Sequence, residues 1–157
     1  MTIHQEAVSL IEAMPNDSVE LIVSLIRNMS PAFRTGKPVD AASMLRAANH
    51  KKIAQIARLE DDWNGNGAGS FSSTLIDKVS HLIDSMDYQP EVFPTACDSI
   101  QFEYDTQDGR HLEIEISEQK NAEIFIMDQN GQEYFETISS DATSINRRVT
   151  DFIERHI

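Results

Sequence analysis

The stretch Ile100-Gln101-Phe102-Glu103-Tyr104-Asp105 alternates apolar and polar residues one by one, and the pattern returns in Leu112-Glu113-Ile114-Glu115-Ile116 and at Ile124 and Ile126. A period of two sends every second side chain to the same face, so these runs are predicted as strands with one apolar face. Gln107-Asp108-Gly109 and Gln119-Lys120-Asn121 separate them as turns, which predicts an antiparallel meander. Asp128-Gln129-Asn130-Gly131 makes a further turn into residues 132–136, where Tyr134 and Phe135 can serve either face. The polar face of such a sheet carries Glu103, Asp105, Glu113, Glu115 and Glu123.

On both sides of the meander the period lengthens to that of a helix. Thr2 and Gln5 have capping-box spacing ahead of Ala7, Val8, Leu10, Ile11 and Met14, which predicts a helix to about residue 13. Pro15 interrupts it, and Asp17 with Glu20 repeats the box ahead of Val19, Ile22, Val23, Leu25, Ile26 and Met29. Two helices of about three turns cannot bury their apolar stripes on each other alone. Residues 1–30 are therefore expected to dock on the rest of the chain or on a second copy, making a homodimer. Residues 31–39, with Pro31, Gly36 and Pro38, read as a linker to an acidic domain at 40–157.

Asp40 is placed to cap a helix through Met44, Leu45, Ile53 and Ile56, with a break expected near Asn49-His50. Ser72 or Ser73 is placed to cap another through Leu75, Ile76, Val79, Leu82, Ile83 and Met86. Ser140 or Asp141 opens a last helix carrying Ile145, Val149, Phe152 and Ile153. The fold class is α+β: an N-terminal αα-hairpin and helices packed on one face of a four- or five-stranded antiparallel sheet, with a C-terminal helix.

Charge is unevenly shared along the chain. Residues 1–58 hold seven Lys and Arg against five Asp and Glu, a charge of +2, whereas residues 59–157 hold six against twenty-one, a charge of −15. Phosphate binding needs clustered cations, so free duplex DNA is a poor partner for the second part. Arg46, Lys51, Lys52 and Arg58 form the main Lys/Arg concentration and are the candidates for a nucleic-acid contact. No apolar run approaches the length of a membrane span and the start lacks a signal-peptide pattern, so the chain is expected in the cytoplasm, away from membranes. A lone Cys97 excludes an internal disulfide and is expected to be buried and structural.

The most distinctive segment is Asp61-Asp62-Trp63-Asn64-Gly65-Asn66-Gly67-Ala68-Gly69-Ser70. Asp62, Asn64, Asn66 and Gly67 match the opening of a calcium loop, but Ser73 stands at the twelfth position, where that loop needs a bidentate Glu. The glycines suggest a phosphate loop, but the Lys is missing and two aspartates would repel an anion. A structural turn is the stronger expectation, with Asp62, Trp63, Asn64 and Asn66 kept as partner-binding candidates. His4, His50, His81 and His156 stand singly on predicted helices, and His111 is the histidine nearest Cys97 in the predicted sheet. No metal site, cofactor or catalytic residue is expected, and the chain is read as a non-enzyme.

Two segments carry resemblances. Residues 7–26, with Met14-Pro15-Asn16-Asp17-Ser18-Val19 at their centre, resemble the "helix, L-P-D-x-x-V, helix" openings of small bacterial type II antitoxins. Residues 59–116, from Asp62-Trp63-Asn64-Gly65-Asn66-Gly67-Ala68 through Pro94-Thr95 to the strand at 100–104, resemble a bacterial domain of unknown function with a W-D-G-Y-G-A signature. Asn64 and Asn66 replace the Asp and Tyr of that signature, and the family brings no catalytic residues. The resemblances imply an antitoxin-like protein that holds a toxin inactive by covering it and represses its own operon. An acidic body suits a basic toxin. Two other functions fit the residues: an acidic nucleic-acid mimic that blocks a defence nuclease, and a small cation-binding module at Asp62 to Asn66.

Overall fold

The computed structural model describes residues 2–28 and 40–154 and divides the chain into two compact units, 1–40 and 41–157. The linker expected at 31–39, Met29 and His156 lie outside the described residues, as do the side chains of His4, Leu25 and Ile26.

In the first unit α1 spans Ile3–Glu12 and α2 spans Asn16–Asn28. The predicted capping box is present: Gln5 N–H donates to Thr2 Oγ1, and Thr2 N–H to Gln5 Oε1. At α2 the cap differs from expectation. Asp17 lies inside the first turn, and the Pro15 carbonyl takes the N–H groups of Ser18 and Val19 at 3.0 and 3.1 Å. Proline has no N–H to lose and suits a helix entrance. Val8, Leu10 and Ile11 of α1, and Met14 just after it, are exposed.

The second unit runs α3 (Ala41–Ile56), α4 (Ser73–Ser85), β1 (Glu91–Pro94), β2 (Ile100–Asp105), β3 (His111–Ile116), β4 (Asn121–Met127), β5 (Glu133–Ser139) and α5 (Ala142–Glu154). The strands form one antiparallel meander in the order β1-β2-β3-β4-β5. The fold is thus α+β with a five-stranded sheet and a C-terminal helix. In the strands the predicted apolar phase points inward: Ile100, Phe102, Leu112, Ile114, Ile116 and Ile124 are almost wholly buried, packed with Leu75, Val79, Ile83 and Phe152 from the helices, whereas Met44 and Leu45, predicted on the apolar stripe of α3, are exposed. Each such side chain contributes about 1.5–3 kcal/mol on leaving water. Ser72, not Ser73, caps α4, accepting from Leu75 N–H, and Asp141, not Ser140, caps α5, accepting from Ser144 N–H.

Three expectations need correction. The helix predicted to break at Asn49-His50 is continuous as α3, because Asn49 turns into the core and its amide donates to the Pro90 carbonyl at 3.0 Å and to Gln89 Oε1 at 3.2 Å. A buried polar side chain with partners ties elements together where an unpartnered one would disrupt them. The last strand extends to Ser139, three residues beyond the predicted 136. Cys97, expected in the core, is exposed, since it sits in the tight β1–β2 turn where Asp98 takes a φ of 56° and the chain doubles back over solvent.

Two cations pin the sheet's turns. Arg110, 4% exposed, donates to both oxygens of Asp108 and to the Phe152 carbonyl, with its guanidinium 5.0 Å above the Phe152 ring. Thr106 and Arg110 hold the Asp108 carboxyl down at about 2. Lys78 of α4 donates to the carbonyls of Ser117 and Gln119 at 2.7 and 2.6 Å, and its burial lowers its pKa despite nearby Glu118.

Candidate functional site

The face of the sheet turned away from the core is built from the polar phase of the same strands. Strand register places Glu91 opposite Glu103 and Glu103 opposite Glu113, then continues the row through Phe125 and Phe135. The next row runs Phe93, Gln101, Glu115, Glu123 and Thr137. A third runs Asp105, His111, Met127 and Glu133. All five predicted acidic residues are therefore brought to one surface, and Glu115 and Glu123 face each other directly. Like charges opposed across strands destabilise a sheet.

Neutral donors relieve part of this repulsion. Ser99, itself buried, donates to Glu115; Gln101 donates to Glu103 at 2.8 Å. His111 bridges two carboxylates, with Nδ1 2.7 Å from Asp105 and Nε2 2.9 Å from Glu113. Partial burial works against a charged ring, but the hydrogen bonds and charges of Asp105 and Glu113 outweigh it and raise the His111 pKa. The imidazolium form thereby sits between two anions, which is the arrangement an ion pair favours.

Aromatic side chains flank the acids. Phe125 stacks tilted on Phe135 with ring centroids 5.2 Å apart, and Phe135 is 75% exposed. Two shallow hollows of about 430 Å³ each lie on this face and share Glu115 and Glu123 as lining. Neither aromatic was singled out from the sequence as part of a site. Phe125 nevertheless carried a signal, being an apolar residue in the polar phase of β4, between Ile124 and Ile126.

The Trp63 loop is organised in the opposite sense, with its polar atoms turned onto its own backbone. Asp62 Oδ1 accepts from Gly67 N–H at 2.7 Å, Asn64 Oδ1 from Asn66 and Ala68 N–H, and Asp61 Oδ1 from Ser70 N–H, which lowers the Asp61 pKa. Trp63 Nε1 donates to the Gly69 carbonyl at 3.1 Å and its ring lies 6.1 Å from that of Phe71. Gly67 takes a φ of 82°, which side-chain-bearing residues rarely adopt, so it needs glycine, whereas a Cβ on Gly69 would meet only the movable end of the Asp98 side chain, at 2.8 Å. Asp62 Oδ1 and Asn64 Oδ1, which a cation loop would turn onto an ion, accept from N–H donors of the loop instead.

Of the candidate basic residues, Arg46, Lys51 and Lys52 lie on α3 and Arg58 follows its end. Arg46 donates to the Met86 carbonyl at 3.4 Å, and Lys52 lies 4.3 Å above the Phe93 ring, while Lys51 and Arg58 are exposed. Cys97 and His111 lie at opposite ends of β2, Cys97 before Ile100 and His111 paired with Asp105, so no thiol–imidazole pair forms. Among the described residues, no cluster of His, Cys, Asp and Glu is placed to hold a metal ion, and no helix is long and apolar enough to cross a membrane. The chain matches no family model, no curated protein and no solved structure.

Proposed function

We propose that the chain is a non-enzymatic, antitoxin-like binding protein whose acidic outer sheet face docks a basic protein. The observation that carries this is the in-register opposition of like charge, Glu103 against Glu113 in one row and Glu115 against Glu123 in the next, while Glu91 at the end of the first row lies 4.0 Å from Lys52. A face needed only for solvation gains from alternating signs, whereas each like-charged pair opposes folding by about 0.2–1 kcal/mol. Cations arriving from a partner reverse that sign, and Phe125 and Phe135 add an apolar border over which arginine can stack.

The row of carboxylates ends at Phe125 and Phe135, which suits a protein surface with an apolar component better than a nuclease groove shaped for continuous phosphates. The open, shallow form of the face suits a macromolecule over a small ligand. The exposed apolar stripe of α1 supports pairing with a second copy, and exposed, unpaired Cys97 fits the reducing cytoplasm.

The test is capture by the immobilised full chain from a lysate of its source organism, run beside the variant Glu103→Gln/Glu113→Gln/Glu115→Gln/Glu123→Gln. The expected result is a basic protein held stoichiometrically by the parent, released at 1 M salt, where screening shortens to about 3 Å, and missing from the variant. The same protein held equally by the variant would remove the outer face from the interaction.

A further inference from the structure

The two edges of the sheet are finished differently. In an antiparallel pair every second residue directs its peptide N–H and C=O toward the neighbour, and the rest direct theirs away. Between β1 and β2 the bond from Thr95 N–H to the Ser99 carbonyl, at 3.0 Å, fixes the phase. Glu91 and Phe93 face β2, and Val92 and Pro94 face outward. Pro94 has no N–H to expose, and Val92 is fully buried. A short strand with proline in the outward phase is a closed edge.

The β5 edge has none of these devices. Bonds from Asp128 N–H to the Gln132 carbonyl and from Ser140 N–H to the Lys120 carbonyl, both 2.9 Å, bracket its ladder with β4. Tyr134, Glu136 and Ile138 therefore face β4, while Glu133, Phe135, Thr137 and Ser139 direct their peptide groups outward. Among the described residues, no backbone hydrogen bond outside the β4 ladder reaches these four. The strand is seven residues long, without Pro or Lys, and all of it is exposed except half-buried Ile138.

We infer that this edge accepts an extended, basic segment of the docked protein as a sixth strand, an inference that rests on the outer-face docking proposed above. Charge selects the occupant. A second β5 would bring Glu133 of another −13 chain against this one, whereas Lys or Arg on the outer face of an added strand meets it favourably; Glu136, on the helix-covered face, already pairs with Arg148. The phases agree as well. On the outer face the added strand neighbours Glu133 and Phe135, and on the helix-covered face it neighbours Tyr134 and Ile138. A segment alternating basic and apolar residues satisfies both at once.

The probe is a synthetic octapeptide of alternating lysine and valine, added to the full chain while amide hydrogen exchange is followed by NMR. With free peptide at about ten times its dissociation constant, exchange at the Glu133, Phe135, Thr137 and Ser139 amides should slow about tenfold. Thr137→Pro, which removes one outward N–H without touching the β4 ladder, should lose this protection with its far-ultraviolet circular dichroism intact. Thr137→Lys, which keeps the N–H but repels the peptide, should weaken it. Peptide that binds and shifts the Glu103 and Glu113 signals while the four amides exchange unchanged overturns the added strand and leaves face docking standing. No binding at all overturns both. Protection that grows with protein concentration and no peptide assigns the edge to a second copy and overturns the basic segment.

Discussion

The two faces of β2 share one backbone and differ in everything else. Ile100, Phe102 and Tyr104 point to the helices and are buried; Gln101, Glu103 and Asp105 point out, among other carboxylates. One face buries apolar side chains in the core, and the other sets carboxylates opposite one another in register. Stability and binding should therefore respond to substitutions on different sides of the same strand.

The largest effect should come from the inner face. Phe102→Ala leaves a void at the centre of the core and should cost about 3–5 kcal/mol in urea unfolding. Next, Asn49→Ala removes the donor to the buried Pro90 carbonyl, with an expected loss of about 1–3 kcal/mol by the same measurement. Phe135→Thr on the exposed outer face should change stability by no more than about 0.5 kcal/mol while weakening capture of the basic partner. A loss of several kcal/mol there would break the division between the faces.

The smallest effect is set by pH. His111 has a raised pKa in the folded chain, so its contribution is complete below the ordinary imidazole value of 6.5 and fades as pH rises through the folded value. The stability gap between the parent and His111→Gln should accordingly narrow from about pH 5.5 to about pH 8.5. A gap that widens would mean that the neutral ring, not the imidazolium, is the form held between Asp105 and Glu113.

Most of the fold was legible because period and phase are local properties. Ile100 to Tyr104 and Leu112 to Ile116 declare their buried side without reference to anything distant, and the outward carboxylates follow from the same phase. The continuity of α3 was not legible, since the partners of Asn49 lie 40 residues away in Gln89 and Pro90. Cys97 misled because its residue type favours burial while its position in a two-strand turn does not. The acidic residues of the candidate site could be read, but their opposition in register could not. It depends on turn lengths that place Glu115 against Glu123 and Glu103 against Glu113. The Trp63 loop reads in the sequence first as a structural turn, and Asp62, Asn64 and Gly67 close it on its own N–H groups.

The most direct measurement is the urea stability of the Glu103→Gln/Glu113→Gln/Glu115→Gln/Glu123→Gln chain beside the parent at low salt. If these carboxylates are kept for a partner at the expense of the free chain, removing their charge should raise stability by about 1 kcal/mol, and added salt should narrow the difference. A variant less stable than the parent would mean that the carboxylates hold the sheet together through Ser99, Gln101 and His111, and would contradict an outer face kept for docking.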